Sequence, residues 1–155
     1  MRAMIDLQVP RFEQPYDSAC VPTCVSMVLF YHGLRQDPYD ACEGIKGYDP
    51  LDGASLRSAA NFVRRQGFPA RVTRRLSLDD LLGILKQDIP LIPSITKFRN
   101  EIPHVVVIRG STEKGFLIND PCDMRRRKIP YGDFVRRWRE QECETLIIYP
   151  KGWYS

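Results

Sequence analysis

The stretch "DSACVPTCVSMVLFYHG" (17–33) sets two thiols, Cys20 and Cys24, four residues apart at the head of an apolar run. Such a pair could hold a metal, form a disulfide, pack as small hydrophobes, or supply a nucleophile. Zinc is not expected: the chain has no C-x-x-C pair, and Cys42, Cys122 and Cys143 are scattered. A disulfide scaffold is not expected either. Five cysteines in 155 residues are odd in number and sparse. Packing and nucleophilic attack remain, and the second needs a base, because the thiolate is the reactive form.

The chain offers two histidines, His32 and His104. On one continuous helix His32 lies about 18 Å along the axis from Cys20, out of its reach. It reads as a cation at a helix C-terminus. Any base for Cys20 is therefore His104. The segment "HVVVIRGSTEKGFLIND" (104–120) reads as a β-hairpin with a polar, glycine-containing turn. Centring the turn on Thr112 sets His104 opposite Asp120, with Cβ atoms about 5 Å apart on one face. That carboxylate could hold one imidazole nitrogen and leave the other for the thiol. A slip of one residue would present Asn119, which could orient the ring equally well.

Cys20 is also favoured by position. At a helix N-terminus the free N–H groups and the macrodipole stabilise negative charge, and a nearby imidazolium lowers the thiol pKa further. Cys24, one turn deeper, lacks that help and reads as a packing residue. The backbone N–H of Cys20 could donate to an oxyanion. Gln14, six residues earlier, could supply the second donor.

These residues require particular elements. Residues 1–16 read as an extended leading segment. A buried helix runs from about Ser18, capped by Asp17 or Ser18, to the stop at Gly33. Apolar residues on nearly every side mark it as central. Further helices are expected over 38–45, 52–68, 77–87 and 131–140, and strands over 69–76, 90–96, 104–110, 115–120 and 144–150. Helices first and antiparallel strands afterwards give an α+β fold with segregated layers, in one domain over residues 1–155.

Taken together, Gln14, the block "ACVPTCVSM" opening an apolar helix, and "PHVVVI" followed by "GFLINDP" resemble the papain-like cysteine peptidases of the bacteriocin-processing type. Members cleave after a double-glycine leader motif, and many are domains of peptide-exporting transporters. The resemblance runs from about Gln14 to Tyr149. It implies a papain-like fold with a central buried helix packed on a C-terminal antiparallel sheet. Carried over by position, it implies Cys20 as nucleophile, His104 as base, Asp120 as orienting residue and Gln14 as oxyanion donor. It implies no cofactor and no metal. The family usually has glycine directly after the nucleophile, where this chain has Val21. No transporter segments follow, so a stand-alone form is expected and double-glycine specificity is not assumed.

The bulk numbers are ordinary for a soluble globular protein. Apolar content is 43%, charged content 27% and net charge +4, short of a dedicated nucleic-acid binder. No apolar stretch could span a bilayer and no secretory signal opens the chain, so a cytoplasmic protein is expected. The basic run "MRRRK" (124–128) and Arg136, Arg137 and Arg139 read as solvated faces, with Phe134 and Trp138 turned inward. An acidic substrate or partner could also use them. The expected activity is a thiol hydrolase acting on a peptide or protein substrate. The alternatives are a thiol acyltransferase of the same fold and a peptidase-like domain that binds without cutting.

Overall fold

A computed structural model describes residues 4–153. The first three residues of the expected leading segment therefore lie outside the described residues. The elements are β1 (Ile5–Asp6), α1 (Cys20–Tyr31), α2 (Pro38–Gly44), α3 (Leu56–Arg65), β2 (Ala70–Thr73), α4 (Leu78–Leu85), β3 (Leu91–Thr96), β4 (Pro103–Val105), β5 (Val107–Ser111), β6 (Gly115–Asn119), β7 (Lys128–Pro130), α5 (Tyr131–Glu140) and β8 (Thr145–Ile148). The strands form one antiparallel sheet in the order β2-β8-β3-β5-β6-β7, with β1 on β5 and β4 on β3. The expected α+β arrangement is present.

Helix α1 is buried from Val21 through Leu29, as its all-round apolar composition requires. Its C-terminal stop is a Schellman motif: Leu34 N–H donates to Leu29 O (2.9 Å), Gly33 N–H donates to Phe30 O (3.0 Å), and Gly33 takes φ +100°. Its start departs from expectation. The N-cap is Ala19, with no side-chain cap, because the Ser18 hydroxyl is paired with Tyr48 Oη at 2.9 Å instead. The first turn thus keeps backbone N–H groups free for other work.

His32 is not a solvated cation. Its Nε2–H donates to Ile148 O at 2.8 Å, and burial lowers its pKa below the ordinary 6.5, only partly opposed by that hydrogen bond. It is a neutral tie between the end of α1 and β8.

Helix α3 is shorter than the expected 52–68. Asp49 and Gly53 exchange both backbone hydrogen bonds, which closes a tight loop before Ser55 caps the helix by accepting from Ser58 N–H. Helix α4 begins at the expected Ser77 cap, with Asp80 completing a capping box.

Strands β4 and β5 continue one another in a single register against β3: Leu91 faces Ile108, Ser94 faces Val105 and Ile95 faces His104. The ladder is interrupted at Val106. That residue falls opposite Pro93, which has no N–H to give. Strand β7 is a departure: its single buried residue, Ile129, sits beside the basic run and gives almost no periodic signal. Every residue of β3, β5 and β8 is buried, so both faces of the sheet centre are covered.

Two polar side chains bind the leading segment to this sheet. Arg109 is buried in β5, at a bulge in the β5–β6 ladder. It pairs with Asp6 of β1, and its Nε–H donates to Asn119 Oδ1 at 2.9 Å. Asn119 Nδ2 in turn donates to the carbonyls of Val9 (3.1 Å) and Pro10 (3.0 Å). A buried guanidinium needs such partners, and here they fix the path that leads to Gln14 and Cys20.

Candidate active site

Cys20 is the first residue of α1, half-buried at the edge of a cleft. His104 comes from β4 and Asp120 directly follows β6; both are buried. His104 Nε2–H donates to Asp120 Oδ1 at 2.8 Å, and the same oxygen accepts from Cys122 N–H at 2.9 Å. Cys20 and His104 both line the cleft, and the two groups act on each other's protonation. Because Nε2 is committed to the carboxylate, Nδ1 is the nitrogen left for the thiol.

The pairing of His104 with Asp120 is reached by a route the hairpin reading did not anticipate. Val107 faces Asn119 and Ile108 faces Ile118, so the register is two residues away from one centred on Thr112. Extended, it would set Val106 opposite Asp120. His104 meets the carboxylate as a diagonal neighbour. An even offset preserves the face of every side chain, whereas an odd one would have reversed it. Asn119 points the other way, into its bonds with Arg109 and the leading segment.

Electrostatics favour separated charge across the pair. Burial opposes the Cys20 thiolate, but the hydrogen bond and charge of His104, with backbone hydrogen bonds from Val105 and Val21, bring the thiol below its ordinary 9.0. Burial likewise opposes the His104 cation. Asp120 and Cys20 outweigh it and raise the imidazole from 6.5 to about 9. Cys24 shows the contrast: fully buried, with its thiol directed at Val105 O (3.7 Å), it is pushed well above 9.0 by burial.

Gln14 stands beside this group on the leading segment, and its backbone N–H donates to Pro121 O at 2.9 Å. Its side-chain amide is turned toward its own neighbours, donating to the carbonyls of Tyr16 (2.8 Å) and Asp17 (2.9 Å). Its Oε1 is buried with no partner. Donation to an oxyanion would require one of those N–H bonds to be shared or released. The Cys20 backbone N–H, uncapped and without a hydrogen bond among the described residues, needs no such change.

The cleft holds about 290 Å³ between the head of α1, the 51–56 segment, and residues 94–105 of β3 and β4. Gly53 forms part of its wall at φ +79°, and a Cβ there would stand 2.8 Å from Ser18 O. Gly53→Ala is expected to destabilise the fold by at least about 1 kcal/mol through the left-handed backbone alone, and to slow any cleavage by moving the wall off Cys20. Denaturant midpoints and initial rates check both, and an unchanged midpoint would refute the first. The signals that pointed to Cys20, His104 and Asp120 were chemical. Gly53 and Arg109 were missed, although an arginine inside "VVVIRG" does ask for a buried acidic partner, and Asn119 was weighed only as an alternative partner for the ring.

Among the described residues, no cluster of His, Cys, Asp and Glu could hold a metal, and no helix is long and apolar enough to cross a membrane. A model of the Peptidase_C39 like family matches residues 6–146. The chain belongs to that family. No curated protein sequence matches it significantly. Solved structures of similar fold include a C39-like peptidase from Bacillus anthracis, 17% identical with a TM-score of 0.80, covering 95% of this chain and 98% of that one. The peptidase domain of Streptococcus ComA, a transporter of a quorum-sensing pathway, is 17% identical with a TM-score of 0.72 over 90% and 96%. A double-glycine-motif protease from a transporter, solved with its leader peptide, is 22% identical with a TM-score of 0.72 over 96% and 99%. Membership of the C39-like family accounts for the shared fold. At these identities, what each relative acts on remains a property of that relative.

Proposed function

We propose that the protein is a cysteine peptidase in which Cys20, His104 and Asp120 act as a catalytic triad and Gln14 assists at the oxyanion. The observation that carries this reading is the buried imidazole held between a thiol of lowered pKa and a carboxylate. In the resting enzyme the proton sits on His104 and the negative charge on Cys20 sulfur. The thiolate attacks the carbonyl carbon of the scissile amide, forming a C–S bond and an oxyanion. The Cys20 N–H faces that oxygen, and the Gln14 amide joins it by releasing a carbonyl of its own segment. The carbon–nitrogen bond then breaks and the imidazolium proton passes to the departing amine. Water, deprotonated by the now neutral imidazole, hydrolyses the thioester and restores the ion pair.

The leader peptide bound by the double-glycine protease supports a peptide as substrate class. Val21, where the family usually has glycine, puts a branched side chain beside the nucleophile, and it lines the cleft. The test is product analysis in ¹⁸O-labelled water, with and without a primary amine acceptor. The reading expects a peptide acid carrying one label in both cases and a transient acyl-enzyme in the intact mass. A labelled acid that gives way to an amide when amine is added would make the protein a transferase. Peptide binding without any product would make it a binding domain.

A further inference from the structure

A second depression lies on the far side of the residue 97–102 loop from Cys20. It holds about 450 Å³, and its walls include Lys97, Arg99, Arg125 and Arg126 together with Asp120 and Cys122. None of these four cations has an ion-pair partner among the described residues, whereas Arg74, Arg109, Arg136 and Arg137 all have one. Of the carboxylates present, Asp120 is already balanced by His104, and Asp123 accepts from its neighbour's backbone, Arg125 N–H, at 3.0 Å. The pocket therefore has surplus positive charge. It is also shaped: Phe98 is held between the guanidiniums of Arg126 (3.7 Å) and Arg137 (4.5 Å), which keeps the loop and one rim in place.

Its position relates it to the chemistry. Lys97 lines both this pocket and the cleft that contains Cys20, so the two adjoin at that residue. The imidazolium must reach the departing nitrogen, so the leaving half of a substrate lies on the histidine side of the sulfur. The pocket walled by Asp120 and Cys122 is on that side. We propose that it receives acidic side chains of the substrate in the first three positions after the scissile bond. This deepens the peptidase reading and rests on it for the direction of the chain. The position next to the cleft favours a peptide over a nucleic acid, whose phosphates would have no reason to extend toward the thiol.

The test is digestion of a randomised peptide library, with cut sites read by mass spectrometry, by the wild-type protein and by the double variant Arg99→Glu/Arg125→Glu. Both residues are exposed, so folding is expected to survive, and Arg99→Gln/Arg125→Gln serves if it does not. Wild type should enrich Asp and Glu in the three positions after the cut. The reversal should lower that enrichment about tenfold, with cleavage of neutral sequences unchanged. Equal profiles for the two proteins would overturn the proposal. If no library member is cut, the failure belongs to the peptidase reading, and the pocket is judged by anisotropy of a fluorescein-labelled Asp/Glu-rich nonapeptide. Binding that is acid-selective and lost on charge reversal supports the pocket, and absence of selectivity overturns it. Displacement of that peptide by a DNA duplex at equal charge concentration also overturns it, in favour of a general polyanion face.

Discussion

Replacing Cys20 by alanine is expected to abolish peptide cleavage, with a loss of about a millionfold in kcat, the scale seen when a triad loses its nucleophile. The melting temperature should hardly move, because the side chain is small and half-buried at the cleft edge. The sulfur can also be observed directly. In wild type, iodoacetamide should modify Cys20 at pH values well below the thiol's ordinary 9.0, because the hydrogen bond and charge of His104 favour the thiolate against burial. In His104→Ala both contributions vanish and burial remains, so the thiol pKa should rise and alkylation at neutral pH should slow. Labelling must be resolved by peptide mapping, since Cys122 is exposed and Cys143 partly so, while Cys24 and Cys42 are buried. A wild-type Cys20 alkylated with the pH profile of an ordinary free thiol would sink the ion pair and with it the triad.

The second large effect is expected at Asp120. Its carboxylate both fixes the ring and stabilises the cation, so Asp120→Ala should lower kcat about a thousandfold or more. Asp120→Asn keeps an acceptor for Nε2–H and should lose less. The pH profile separates the two roles. The imidazolium must be protonated to expel the amine, so activity falls as pH rises through its pKa, which is about 9 here. Asp120 is one of the groups that raise that value. Removing its charge should move the alkaline limb of kcat/KM to lower pH, since burial would then be opposed by Cys20 alone. Identical alkaline limbs in wild type and Asp120→Ala would show that the carboxylate does not control the ring.

The candidate residues were more legible in the sequence than the geometry that assembles them. Cys20 could be singled out because a thiol at the first turn of an apolar helix is electrostatically different from one a turn deeper, and Cys24 bears out the contrast. His104 followed by elimination of His32. Asp120 followed from parity along a hairpin, which tolerates an even error in register and did so here. What escaped depends on long-range contacts that no local pattern encodes. The Ser18 hydroxyl is drawn from capping duty by Tyr48, thirty residues on. His32 is neutral because its burial against the rest of the fold lowers its pKa by more than the bond to Ile148 O raises it. Gln14 was found from its spacing, yet the direction of its amide depends on the carbonyls of a turn whose shape the sequence does not specify. Strand β7 exists because β6 offers a free edge beside it, with Ile129 its single apolar anchor.

The placement of β8 between β2 and β3 has a consequence for biosynthesis. A middle rung of the sheet comes from residues 145–148, so a nascent chain in which they are still to be made leaves β2 unpaired and one edge of β3 open. Closure of the sheet must then await residues 145–148. The Cys20 thiol, made far earlier, therefore reaches its finished surroundings only once this rung is in place.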